Sequence, residues 1–254
     1  MRLLLVCLLM CLAGAAPQPR VRPDILIYSG TTGWRHDSIP AAIHAVEAIA
    51  RTRNLGTIAT EDPAIFSNAS LKRFSVIVLL SSTTDPKDPK SEWFVGERRE
   101  ALREFVARGG GIVAIHGAAD SHYRWPWYGR LIGARFAGHP PGTPAGTIHT
   151  RAANQPIVAG LPRVVRRRDE WYYFDDYDPT STLLVTLDPS SIGDPDANPN
   201  PIAWTREVDG GRVFYTAMGH TTESYSDPYF VRHITNGLDW VLQGAASKPA
   251  IQPR

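Results

Sequence analysis

The sequence predicts an α/β protein with a mostly parallel central sheet, helices on both faces and additional antiparallel strands in the C-terminal half. Short apolar runs alternate with amphipathic segments in the first half, and strand-sized runs bounded by turn residues dominate the second. With 254 residues, 43% hydrophobic and 20% charged, the chain is long enough to bury one sizeable core. This composition excludes a disordered chain, a collagen and a coiled coil.

The first half predicts strand, helix, strand, helix, strand. Continuous apolar runs, typical of strands buried on both faces, occupy residues 25–28, 75–80 and 112–115. Between them, apolar residues at helical spacing predict one helix over 39–53, capped by Ser38, and another over 97–107. The short connections favour right-handed crossovers between parallel strands.

The second half is richer in strands and ends in a helix. Four further strands are predicted, at 147–150, 183–187, 201–207 and 212–217. The Val-Asp-Gly-Gly turn at 208–211 joins the last two into an antiparallel hairpin. An apolar stripe predicts a final helix over 229–243, with His233 beside the stripe in a structural role.

The N-terminus predicts a secreted or periplasmic protein. Arg2 precedes an apolar run at 3–12 and small residues at 13–16, the pattern of a secretory signal peptide over 1–16. The alternative is an uncleaved anchor, but the run is well short of the ~20 apolar residues that cross a bilayer. Both cysteines, Cys7 and Cys11, lie in this leader, so the mature chain is expected to hold neither a disulfide nor a thiolate nucleophile.

The overall charge argues against polyanionic partners. Lysine and arginine number 27 and aspartate and glutamate 25, for a formal net charge of +2. This even balance does not supply the electrostatic field on which non-specific nucleic-acid or membrane-surface binding depends. A small molecule is the expected partner, and the oligomeric state is not predicted.

Three histidines follow predicted strands, which points to a site. His36, His116 and His220 come after the strands at 25–28, 112–115 and 212–217. Ligands of open parallel sheets bind beyond the carboxyl ends of the strands. We therefore expect these three side chains to lie close together at one edge of the sheet, where they are candidates for catalysis.

Each histidine has more than one interpretation. His116 stands where a strand turns sharply into small residues, as at a nucleophile elbow, and could act as a general base, orient a hydroxyl or bind a metal. Its alternative is a buried ring bonded to a backbone carbonyl. His220, followed by Thr221 and Glu223, could contact a polar ligand or belong to a capped turn, and His36 could simply lie in a polar helix entry.

Aromatic and acidic residues suggest sugar recognition. Glu170 adjoins Trp171 and Tyr172, and a second cluster holds Trp127 and Tyr128. A sugar ring stacks its apolar face on aromatics while a carboxylate accepts its hydroxyl protons. The alternative for both clusters is the hydrophobic core.

A divalent metal such as zinc is a further possibility. His36, His116, His220 and Glu170 have the right ligand types. No two histidines show a tight ligand spacing, so the site would have to be assembled from distant loops.

Seven blocks of the chain together resemble the ThuA-like family, named for trehalose utilisation. They occur in family order across essentially the whole mature chain, and we assign the domain to 24–244. The blocks are WRHDSI at 34–39, GGGIVAIHGA at 109–118, WPWYG at 125–129, FAGHP at 136–140, DEWY at 169–172, IAWTRE at 202–207 and GRVFYTAMGHT at 211–221.

The resemblance implies a flavodoxin-like fold, similar to class I glutamine amidotransferases: a three-layer sandwich with a mostly parallel sheet. Those enzymes carry a cysteine at the elbow where this chain has the His116 region, so glutamine hydrolysis by that route is excluded. The family is linked to disaccharides such as trehalose through 3-keto sugar intermediates. Some members bind a divalent metal near the histidines matched by His36, His116 or His220. His122, Arg124 and Gln155 depart from the usual pattern, the first two making the local charge more positive.

The leading hypothesis is a secreted carbohydrate-processing enzyme, an isomerase, lyase or hydrolase, acting on a disaccharide or its 3-keto derivative. The alternatives are a non-catalytic sugar-binding module and a scaffold whose site has decayed. The expected catalytic residues are His116, His220, Glu170 and His36. The expected substrate contacts are Trp34, Trp127, Tyr128, His139, Trp171, Tyr172, Thr221 and Glu223.

Overall fold

The computed structural model describes residues 23–194 and 199–246, so the proposed leader at 1–16 lies outside the described residues. The helices are α1 (Ile39–Arg51), α2 (Asn68–Leu71), α3 (Glu97–Ala107), α4 (Pro126–Ile132) and α5 (Pro228–Ala246). The strands are β1 (Pro23–Tyr28), β2 (Gly56–Thr60), β3 (Val76–Leu80), β4 (Gly111–Ile115), β5 (Arg135–Gly138), β6 (Ala145–Thr150), β7 (Val164–Arg168), β8 (Tyr173–Asp175), β9 (Thr182–Asp188), β10 (Asn200–Val208) and β11 (Gly211–Thr216).

A nine-stranded sheet runs through the molecule in the order β2-β1-β3-β4-β11-β10-β9-β6-β7. The pairs from β2 to β11 are parallel, and those from β11 to β7 are antiparallel. Strands β5 and β8 form a separate antiparallel pair. The predicted mixed α/β fold, parallel first and antiparallel later, is confirmed.

Helices cover both faces of this sheet. Val46 of α1 and Ile234 of α5 lie together against Val78 and Val113. In β11, Phe214 contacts His233 of α5, whereas the next residue, Tyr215, packs on Trp204, whose indole donates to the Ile132 carbonyl at the end of α4. Because successive strand residues point to opposite faces, α4 and α5 lie on opposite sides. Helix α3 lies on the same side of the sheet as α4, because Arg103 of α3 stacks on Trp127 of α4.

The elements that the sequence predicted well are the fully buried ones. Every residue of β3 and β4 is buried, and α3 has the predicted bounds. The hairpin of β10 and β11 is antiparallel as predicted. Ser38 is a correction: it makes no side-chain cap on α1, and its hydroxyl instead donates to the Gly219 carbonyl.

The far edge of the sheet is a strand rich in arginine. The arginines at 166–168 form part of the edge strand β7, and Arg166 and Arg168 are exposed. Arg167 points inward, is 7% exposed and pairs with Asp169.

Within the two described ranges, no helix has the length and apolar character needed to cross a bilayer.

Candidate active site

Four side chains from distant parts of the chain meet beyond the carboxyl ends of the parallel strands. His36 lies in the loop after β1, His116 follows β4, His220 follows β11, and Glu170 lies between β7 and β8. One nitrogen or carboxylate oxygen from each lies within 4.8 Å of those of the others. These four residues are called the histidine–glutamate cluster below. They are the four residues that the sequence predicted as catalytic, and the fold brings them together.

His116 is held in a strained turn that fixes its ring. Its φ of 49° is unusual for a residue with a side chain, because that region favours glycine. Tyr215 Oη donates to the His116 carbonyl at 3.1 Å. His116 Nδ1 lies 2.6 Å from the Ala217 carbonyl, and Tyr172 stacks on the imidazole at 4.3 Å between ring centroids. Both interpretations of His116 therefore apply: the ring is buried and bonded to a carbonyl, and Nε2 faces the cluster.

Three atoms form a tight triangle at the centre of the cluster. His116 Nε2 lies 3.2 Å from His220 Nδ1 and 3.4 Å from Glu170 Oε2. The third edge, from His220 Nδ1 to Glu170 Oε2, is 3.2 Å. The other carboxylate oxygen, Glu170 Oε1, lies 3.3 Å from His139 Nδ1.

Asp169 holds two members of the cluster through their backbone. Its Oδ1 accepts from the amides of Glu170 and His220 at 3.0 Å each. Its Oδ2 accepts from the Gly219 amide at 3.0 Å, from Ser224 Oγ at 3.2 Å and from Arg167 Nη2 at 3.3 Å. Asp169 is fully buried, so it fixes the loop after β11 relative to the segment after β7.

The cluster favours a charged Glu170. Burial would raise the pKa of Glu170, but hydrogen bonds with His116 and His220 outweigh it and hold the pKa well below its usual range. The hydrogen bond with Glu170 in turn raises the pKa of His220. His36 behaves oppositely: burial, followed by the nearby His116 and His220, lowers its pKa to about 3. At neutral pH His36 is therefore a neutral imidazole, the form that binds metals.

The cluster opens into a cavity of about 460 Å³. Trp34, 71% exposed, stands at its rim, and the Trp34 carbonyl accepts from Thr83 Oγ1 at 2.7 Å. The full lining is Trp34, His36, Asp120, Phe136, His139, Glu170, Tyr172 and His220. A cavity of about 500 Å³ at the end of α4, lined by Arg130 and Arg206 among others, lies away from the cluster. The cavity of about 460 Å³ is the better candidate for a ligand site because it combines aromatic walls with converging polar groups.

Several expected substrate contacts do not line this cavity. Among them Trp127, Tyr128 and Trp171 are core residues whose polar atoms bond to Asp209, the Ala118 carbonyl and the Pro144 carbonyl, respectively. A large aromatic ring contributes more free energy to folding when it is fully buried than when it stays exposed. This explains why these three side chains lie in the core, which corrects the expectation that they contact substrate. Thr221 caps the turn Thr222–Ser226, the alternative left open above, and Glu223 is exposed on that turn. Trp34, His139 and Tyr172 do line the cavity.

Sequence reasoning missed three residues of the site. Asp120 and Phe136 line the cavity, and Asp169 holds the cluster. Asp120 comes four positions after His116 on the same turn, a signal that could have been used. Burial lowers the pKa of His122 to about 3, so this ring is neutral at pH 7 and makes the local charge more positive only by comparison with an acidic residue.

The cluster has the properties of a divalent-metal site. Because His116 Nδ1 faces a carbonyl, a neutral imidazole carries its proton there, which leaves the lone pair on Nε2 able to bind a cation in place of the hydrogen bond with Glu170. His36 Nδ1 is buried without a hydrogen-bond partner among the described residues. Zinc ligands at ~2.0–2.1 Å in a tetrahedron lie about 3.4 Å apart, close to the edges of the triangle. The donor set therefore fits such an ion.

Comparisons with known proteins agree with this architecture. A putative ThuA-like protein from Bacteroides uniformis is 22% identical, with a TM-score of 0.70 and coverage of 90% of this chain and 94% of the other. A second, from Parabacteroides merdae, is 18% identical, with a TM-score of 0.68 and coverage of 90% and 92%. A cytoplasmic protein from Salmonella typhimurium is 12% identical, with a TM-score of 0.60 and coverage of 86% and 98%. The comparison with curated proteins finds no match.

The fold and the site thus define an α/β protein with a flavodoxin-like sheet and a histidine–glutamate cluster beyond its strands. The model of the ThuA family, described as trehalose utilisation, matches residues 24–241. The chain belongs to this family, and membership connects it with trehalose utilisation.

Proposed function

We propose that this chain is a secreted enzyme that processes a disaccharide or its 3-keto derivative. The observation that carries the proposal is the histidine–glutamate cluster at the base of a cavity with aromatic walls. A volume of about 460 Å³ lies in the range of ~300–1,000 Å³ typical of small-molecule sites. Trp34, Phe136 and Tyr172 offer apolar surface for a sugar ring, and Asp120 offers an acceptor for its hydroxyls.

A divalent metal held by His36, His116, Glu170 and His220 would have to accept a further ligand beyond these four, and it would then polarise a carbonyl oxygen as a Lewis acid. The residues themselves supply the positioning. His116 is immobilised by the Ala217 carbonyl and by Tyr172, so it serves as a fixed point of the site. The side chain of His220 is 27% exposed, so it is reachable from the cavity.

The reaction that suits this site starts with removal of a proton beside a carbonyl, followed by elimination or isomerisation. A 3-keto sugar provides that acidic C–H bond, whereas an unoxidised disaccharide does not. The proposal predicts bound zinc or a similar ion in the purified protein and conversion of 3-keto-trehalose or 3-keto-glucosides. Elemental analysis and product analysis by mass spectrometry test both. Purified, metal-loaded protein that leaves every keto sugar intact would rule out the enzyme.

Glu170→Gln is expected to weaken zinc binding at least ~100-fold, since even loss of an outer-shell partner costs 10–100-fold. The amide keeps the shape of the side chain but removes the anionic ligand. Competition with a chromogenic chelator measures the affinity. Glu207→Gln is the matched control, because Glu207 is 69% exposed and far from the cluster in the sheet. Equal zinc affinity in Glu170→Gln and wild type would contradict the metal assignment.

A non-catalytic sugar-binding module remains the second candidate because of Trp34, a large ring left 71% exposed at the cavity rim. Trp34→Ala is expected to weaken sugar binding about fivefold, from loss of roughly 1 kcal/mol of stacking. Isothermal titration with trehalose and 3-keto-trehalose measures this, with Val164→Ala as the control at another exposed apolar residue. Heat of binding without any consumption of sugar would favour the module. Unchanged affinity in Trp34→Ala would remove Trp34 from the binding surface.

A further inference from the structure

Asp120 is a second carboxylate in the cavity and is separate from the histidine–glutamate cluster. It lines the cavity together with Glu170 and His220. Its backbone is fixed on both sides: the amide donates to the Gly117 carbonyl at 2.9 Å, and the carbonyl accepts from the Thr84 amide at 3.0 Å. Within the described residues, neither a hydrogen bond nor an ion pair joins its carboxylate to the cluster.

The two carboxylates of the cavity differ in how their oxygens are used. Glu170 Oε2 faces both His116 and His220, and Oε1 faces His139, so both oxygens are engaged by imidazoles. Asp120 Oδ1 accepts a hydrogen bond from Tyr123 Oη, and Oδ2 has no such engagement in the described structure. Asp120 is therefore the carboxylate with an oxygen available to a bound molecule.

The surroundings of Asp120 suit proton transfer near neutral pH. Burial raises the pKa of Asp120 to about 6, against the lowering effect of the Tyr123 hydroxyl and of His116 and His139; Glu170 adds to the rise. The aspartate is thus ionised at neutral pH but a stronger base than an ordinary carboxylate. A general base is most effective when its pKa lies near the working pH.

We propose that Asp120 is the catalytic base of this site, taking the proton from the carbon beside the carbonyl of a 3-keto sugar. This inference rests on the proposed function and names a residue for its first step. The C–H bond breaks, its proton forms an O–H bond on Asp120, and its electron pair forms a C=C bond while the carbonyl π pair moves onto oxygen. When that pair returns, the glycosidic C–O bond breaks, and the leaving oxygen takes the proton back from Asp120.

Tyr123 is a positioning residue in this arrangement. Its hydroxyl orients Oδ1 of Asp120, and its own carbonyl accepts from Arg135 Nη1 at 2.5 Å. The hydrogen bond stabilises the ionised carboxylate and so makes it a weaker base. Removing the hydroxyl therefore changes the basicity of Asp120 without removing the base.

The first experiment follows exchange of the C–H hydrogen. Wild-type and Asp120→Asn proteins, loaded with zinc, are incubated with 3-keto-trehalose in D2O, and NMR measures deuterium incorporation and cleavage. Asp120→Asn is expected to lower both rates at least ~100-fold, the usual contribution of a general base, while zinc content and the calorimetric affinity for the sugar stay near wild type. Asp175→Asn, an exposed aspartate on β8, is the matched control.

The second experiment uses Tyr123→Phe and the pH profile of kcat/KM. The acid limb is expected to move to higher pH than in wild type, because Asp120 then holds its proton more strongly. A purely structural role of Tyr123 would change the rate without moving this limb. An unmoved limb would therefore overturn the pairing of Tyr123 with the base.

The outcomes separate the two proposals. Wild-type exchange and cleavage with loss of both in Asp120→Asn support the assignment. Retention of both in Asp120→Asn overturns Asp120 as the base and leaves the proposed function standing. Absence of both in the wild-type protein overturns the proposed function, and the role of Asp120 with it.

Discussion

Replacing Asp169 by Asn is expected to lower the free energy of unfolding by about 3–5 kcal/mol, the usual cost of breaking a buried ion pair. The change leaves Arg167 buried without its anionic partner; Arg167 Nε and Nη1 already have no hydrogen-bond partner in the described structure. It also turns one acceptor oxygen into a donor group that faces backbone amides. Urea denaturation followed by circular dichroism measures the loss.

The same substitution is expected to weaken zinc binding in the protein that stays folded, because Asp169 holds the amides of both Glu170 and His220. The control is Asp176→Asn. Asp176 is 80% exposed and lies 3.8 Å from Arg135, so its loss is expected to cost less than about 1 kcal/mol. Equal stability of the Asp169 and Asp176 variants would show that the buried pair does not organise the site.

Acidification from pH 7.5 to pH 5 is expected to destabilise the protein through buried neutral histidines. Burial lowers the pKa of His122 and of His233 from 6.5 to about 3. A lowered histidine pKa contributes stability that is present above the unfolded pKa and lost as the pH falls from there toward the folded pKa. At pH 5 the loss is about 2 kcal/mol for each histidine, at ~1.4 kcal/mol per pH unit.

His233 provides the cleaner test, because His122 Nδ1 lies 3.9 Å from Glu92 and would gain a partner on protonation. Both nitrogens of His233 lack hydrogen-bond partners among the described residues, so an apolar replacement leaves nothing unpaired. His233→Leu is expected to reduce the pH dependence of the urea midpoint between pH 7.5 and 5. The pKa of His220 is raised in the folded protein, so protonation of this side chain on acidification stabilises the protein and opposes the effect.

His44→Gln is the matched control, because the side chain of His44 is 81% exposed. It is expected to keep the wild-type pH dependence. The lower limit of pH 5 stays above the ordinary carboxylate range, so that aspartates and glutamates other than Asp120, whose pKa burial raises to about 6, contribute little. A His233→Leu profile parallel to that of wild type would contradict the assignment of the pH dependence to this residue.

The success of sequence reasoning depended on burial. Strands β3 and β4 are buried along their whole length, so their apolar runs were unambiguous. Strand β2 is a partly exposed edge strand, and β8 has only three residues, so neither leaves a clear apolar pattern. Helix α4 contains aromatic residues beside a proline, which resembled a binding cluster more than a helix.

The site was predicted where topology alone decides its position. His36, His116 and His220 follow strands β1, β4 and β11, which point in the same direction, so their meeting is a consequence of strand order. Glu170 was expected from its residue type, but its approach depends on Asp169, whose partners lie 50 and 51 positions away. Such side-chain bonds leave no periodic signal in a sequence. The roles of Asp120 and of Trp34 likewise depend on which aromatic side chains are buried in the core and which line the cavity, and the sequence does not show this.

The wide separation of the cluster residues along the chain links ligand binding to completion of folding. His36 lies close to the start of the described residues, whereas His220 immediately precedes the final helix and its turn. No fragment released by proteolysis between them holds the full set of ligands, and a growing polypeptide acquires the last one only after β11 has been made. Metal or sugar bound at this position therefore stabilises, by mass action, only chains that contain all four residues in their folded arrangement, and chains truncated between them lack that stabilisation.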